Sequence, residues 1–159
     1  MVVKHKKAFS MITAIFIIVI MATVGMLVIN LSAKTVKETT TQYRKEQAML
    51  LAKSYTEFAI MAVTADDRAQ DCIENITGDD VLADADSGKG YQVETQIYYI
   101  GRDATANLST CDSSRVLADN VDTNGSDLQI VVDVYVKYKE LDNNNTGWFT
   151  YHRRTLQKI

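Results

Sequence analysis

Two cysteines and one run of oxygen-bearing side chains are the residues here whose types and spacing could support chemistry. Cys72 and Cys111 are the chain's only cysteines. In an oxidising compartment two thiols are most simply one disulfide. The loop it would close is long, and chain entropy gives such a bond roughly 3–4 kcal/mol. Asn120, Asp122 and Asn124 place oxygens at alternate positions ahead of Gly125, the spacing of a calcium loop. The pattern departs from that loop at both ends. Its first position is an amide, and the bidentate acid expected at the last would be Val131. A polar turn ahead of a strand starting at Leu128 accounts for these residues better, and no cofactor is expected. Asn75, Asn107, Asn124 and Asn144 each begin an Asn-Xaa-Ser/Thr sequon. No Ser/His/Asp or Cys/His set, Gly-rich phosphate loop or paired-carboxylate pocket is visible, so the chain reads as a non-enzyme.

The compartment of those thiols follows from the element that positions them. From Ala8 to Ala33 there are 26 consecutive residues without a charge, directly behind Lys4-His5-Lys6-Lys7. About 20 apolar residues in a helix cross the hydrocarbon layer of a bilayer. The basic flank puts the N-terminus in the cytoplasm and everything after Ala33, including both cysteines, outside. A secretory signal has a shorter apolar core, and Leu31-Ser32-Ala33 is a poor cleavage site.

Beyond the membrane the helical pattern continues. Residues 34–63 contain no Gly or Pro. Leu51, Tyr55, Phe58 and Ala62 recur at helical spacing, with Ala48, Ala52 and Ala59 beside them. Residues 64–90 read as loop, with a short helical turn around Ile73, Ile76, Val81 and Leu82. Period-two alternation follows over Gln92–Gly101 and Leu128–Tyr138, and Trp148–Leu156 is β-rich. Asp142–Gly147 would close the last two strands as a hairpin. Residues 102–126 form a polar insertion. His152-Arg153-Arg154 is a basic run, read as a solvated strand face or one that meets acidic loops of a neighbour. The expected fold is α+β: a long N-terminal helix, transmembrane in its first half, packed on a small antiparallel sheet of about three strands.

Lys6-Lys7-Ala8-Phe9-Ser10-Met11-Ile12, followed by an apolar helix that runs on amphipathically, resembles the class III signal of type IV pilins and type II secretion pseudopilins. The resemblance implies a leader at 1–8, cleaved by prepilin peptidase between Ala8 and Phe9, with N-methylation of Phe9. It implies a bundle helix at 9–33, its amphipathic continuation at 34–63 and a pilin-like head at 64–159. Implied partners are other pilin or pseudopilin subunits, prepilin peptidase, an inner-membrane assembly platform and membrane lipid. The implied location is the bacterial inner membrane, with the head periplasmic, and then the filament. The residue before the cut is usually Gly and is Ala8 here. The family's mid-helix Pro is absent, with Asn30 at the equivalent position. The fifth mature residue is usually Glu and is Thr13 here, so the carboxylate that pairs with a neighbour's N-terminal amine is missing. Subunits lacking that acid are typically minor or tip-proximal, which is the expected role.

The net charge is −3, and loss of the three leader lysines takes it to −6. That balance argues against a basic nucleic-acid surface, and no direct nucleic-acid site is evident. The alternative is a bitopic periplasmic sensor or binding protein, anchored by the same helix and never assembled.

Overall fold

The computed structural model describes residues 6–121, 126, 128–139 and 147–159. Helix α1 runs Lys6–Ala65, β1 Asn75–Val81 and β2 Tyr91–Gly101. A short α2 at Asp103–Ala106 and a 3-10 turn at Leu108–Thr110 follow. Then come β3 Val116–Ala118, β4 Leu128–Tyr138 and β5 Phe149–Lys158. The chain divides into two compact units, residues 1–43 and a head from Arg44 to Ile159.

The head is α+β as expected, but its sheet has five strands, ordered β1-β2-β4-β5, with β3 also on β2. The central pair, β2 and β4, holds register from Gln92↔Lys137 to Gly101↔Leu128. β2 alternates buried and less buried residues along its length because one face lies on the core, and β4 does the same except at Asp133, which is buried between Val132 and Val134. β1 takes one half of the free edge of β2, and β3 takes a place at Tyr99 and Ile100 on the other half. Those two strands correct the sequence reading. The turn of helix expected around Ile73–Leu82 is instead β1, and β3 lies inside the polar insertion. Neither has apolar periodicity of its own: β1 reads NITGDDV and is mostly exposed. Their pairing comes from the backbone groups that β2 leaves open.

The head end of α1 contributes Ala48, Ala52, Ala59 and Val63 to one hydrophobic cluster with Tyr91, Val93, Ile97 and Tyr99 of β2 and alternate residues of β4. The row is narrower than the sequence pattern indicated. Phe58 is 51% exposed, and the small side chains between the expected positions are the buried ones. Alanines allow helix and sheet backbones to approach closely, which leaves no depth for a phenylalanine at the margin. Arg68 closes the helix end, donating to the Val63 and Ala106 carbonyls, each at 3.1 Å.

Candidate functional site

The residues that could act lie in three places: the uncovered helix, the outer sheet face and the disulfide loop. In α1 the stretch from Met11 carries a mean hydropathy of 2.9, and none of that window is buried within the chain. Ile12, Phe16, Leu27 and Ile29 are each more than 60% exposed. Threonine hydroxyls in and just beyond the stretch turn back onto the helix's own carbonyls. Thr23 donates to the Ile20 carbonyl at 2.8 Å, and Thr35 to that of Leu31 at 3.0 Å. Among the described residues one helix is therefore long and apolar enough to cross a membrane. Ala8 and Phe9 fall within the first turn of α1.

Further along α1, Tyr43, Leu50 and Met61 are each more than 60% exposed. Their spacings of 7 and 11 bring them back to one side of a helix, away from the alanine row. Within the head, Leu50 and Met61 stand on this uncovered side among the exposed Ser54 and Glu57.

On the outer face of the sheet, β4 and β5 place Asp133 opposite Arg154. Asp133 has no exposed surface. Arg154 donates to it in a fork, Nε to Oδ1 at 2.7 Å and Nη2 to Oδ2 at 2.6 Å. His152 Nε2 lies 2.9 Å from the same Oδ1, and its ring stacks on Tyr135 at 4.5 Å. The basic run at 152–154 is therefore engaged within the chain at two of its three residues. The sequence reading missed Asp133, since a lone acid in a valine-rich strand gives no signal of its partner.

The Arg154 hydrogen bonds, helped by His152, hold the Asp133 carboxyl below its ordinary value of 3.8 despite burial. A lowered acid stabilises the fold above its unfolded pKa, and that stabilisation is lost as pH falls through the folded one. Asp133→Asn is expected to lower stability at neutral pH and to flatten the acid limb. Urea melts of both chains between neutral and strongly acid pH check this: the gap between them should close below the ordinary carboxylate value.

Cys72 and Cys111 form the expected disulfide, with Cα atoms 5.1 Å apart. Nearby, Thr110 Oγ1 donates to the Arg68 carbonyl at 2.7 Å, fixing the 3-10 turn against the end of α1. Of the calcium candidates, Asn120 forms an isolated antiparallel bridge with Arg102. Asp122 and Asn124 lie outside the described residues. Among the described residues no group of three or more His, Cys, Asp or Glu side chains could hold a metal ion. Of the sequons, Asn75 accepts a 2.8 Å hydrogen bond from Arg115, while Asn107 stands exposed in a left-handed conformation. Asn124 and Asn144 lie outside the described residues.

No protein-family model, curated protein or solved structure matches this chain. Function therefore rests on the residues themselves.

Proposed function

We propose that this chain is a structural subunit, of the minor kind, of a type IV pilus or type II secretion pseudopilus. It is inserted in the inner membrane, processed before Phe9 and assembled into a helical filament. One observation carries the reading: the apolar part of α1 is wholly uncovered by its own chain. Apolar surface on that scale needs a cover other than water. Lipid supplies it before assembly, and neighbouring helices supply it afterwards through close packing. The Lys6–Ile12 segment supports processing at Ala8–Phe9.

The test is the N-terminus of the chain in cells with and without prepilin peptidase. Mass spectrometry is expected to find a chain starting at methylated Phe9 in the first and an unprocessed chain in the second. A chain that starts at Met1 in both is the permanently anchored, non-assembling alternative.

A further inference from the structure

Large apolar side chains collect at one end of the head. Arg44 is the head's first residue, and its guanidinium lies over the rings of Tyr91 and Tyr138. Tyr138 stacks on Phe149 with centroids 5.9 Å apart. Phe149 is 42% exposed, and Trp148 beside it 38%. The Lys139 ammonium sits 4.5 Å from the Trp148 ring centroid while also pairing with Asp86 at 3.3 Å. Across the same sheet end Val81 pairs with Tyr91, and the next residue, Leu82, is 70% exposed. Leu82 holds φ at 70°, in the left-handed region that a leucine rarely adopts. Leu82, Trp148 and Phe149 all lie outside the buried core.

Chain length limits how far this end can lie from a bilayer. Eleven positions separate Ala33, the last residue of the uncharged stretch, from Arg44. As helix they rise about 16 Å, and at full extension they could span no more than about 40 Å. Cys111 and Leu108 lie toward the other end of the strands, about a further 35 Å away along an eleven-residue strand. An indole, a phenyl ring and a snorkelling lysine together suit the headgroup region of a membrane. The charge nearby selects the lipid. Asp80, Asp84 and Asp86 are exposed around the same end; with Asp86 paired to Lys139, Asp80 and Asp84 stand against Lys89 of the same turn, so on balance an anionic surface would be repelled.

We propose that this end of the head is a second membrane contact, in which Leu82, Trp148 and Phe149 seat in the headgroup region of zwitterionic phospholipid. Lys139 faces the phosphates. The contact rests on the reading of α1 as a membrane span, and it belongs to the chain while that helix is in the bilayer.

Trp148 is the chain's only tryptophan, so the emission of the full-length protein reports on it directly. The protein is placed at one copy per disc in phosphatidylcholine nanodiscs, with or without bromine on the acyl chains. Bromine near the headgroup end is expected to quench about half or more of the emission, and bromine near the methyl end less. The double variant Leu82→Ser, Phe149→Ser should recover most of the lost signal, and anionic lipid should weaken the quenching. Unquenched emission from a chain that co-purifies with the discs overturns the contact and leaves the span intact. Shielding of Trp148 only in discs holding several copies also overturns it, assigning the patch to protein. Quenching that grows with anionic lipid overturns the choice of lipid. A chain that does not co-purify with discs overturns the span itself.

Discussion

Replacing Cys72 and Cys111 together by serine is expected to lower the stability of the head by about 4 kcal/mol. The two residues are 39 positions apart, so the bond removes much closure entropy from the unfolded chain. The loop it closes contains β1, β2, α2 and the 3-10 turn. Those elements include a strand at the centre of the sheet, β2, and the edge strand β1. A domain this size is stable by about 5–15 kcal/mol, so the loss is a large share of the whole. The melting temperature of the head should fall by about 10–20 °C. Urea unfolding of the full-length protein in detergent, followed through Trp148, checks this in the double variant and in the parent with reductant. Agreement between the two isolates the bond from any effect of the serines. A loss under about 1 kcal/mol would mean that the unfolded chain is already held together near these residues.

Arg44→Ala is expected to cost about 3 kcal/mol, through a different mechanism. The Arg44 side chain is buried, and its guanidinium donates to the Gly88 and Gly90 carbonyls. It packs over two tyrosine rings, which adds cation–π attraction. Tyr91 returns the contact, with its hydroxyl 3.3 Å from the Arg44 carbonyl and 2.8 Å from Gln47 Oε1. Removing the guanidinium strands two carbonyls in a closed site and opens a cavity between rings. The 84–90 turn has no slack to refill it: a Cβ at Gly90 would collide with the Ala83 carbonyl. Arg44→Lys keeps the charge but cannot fork between two carbonyls, and should cost roughly half as much. The same unfolding experiment, run on both variants, checks the order. Equal losses for Ala and Lys would show that fork geometry, rather than burial and charge, carries the effect.

The parts of this fold that could be read from residues alone are those with strong periodicity. β2 and β4 carry period-two patterns because each lays one face on the core, and the long helix is marked by its uncharged stretch. β1 and β3 were invisible for a physical reason. They are edge strands whose pairing is set by the backbone of β2, so their side chains carry little pattern. The two cysteines were legible because chemistry and compartment leave few other uses for them. Asp133 was not, since its meaning depends on Arg154 standing opposite it across two strands, a relation set by register. The exposure of Phe58 shows the converse limit. Spacing finds the apolar side of a helix, but the depth available beneath it is decided by the facing sheet.

The alanine row under α1 gives this interface a ceiling. Ala48, Ala52 and Ala59 have no exposed surface, and Thr56 between them spends its hydroxyl on the Ala52 carbonyl at 2.7 Å. A seam seated on methyl groups can lose atoms and still close, but it cannot gain them without prising helix from sheet. Sequence drift along this face is therefore one-sided, with glycine or serine tolerated at a cost and leucine or phenylalanine refused.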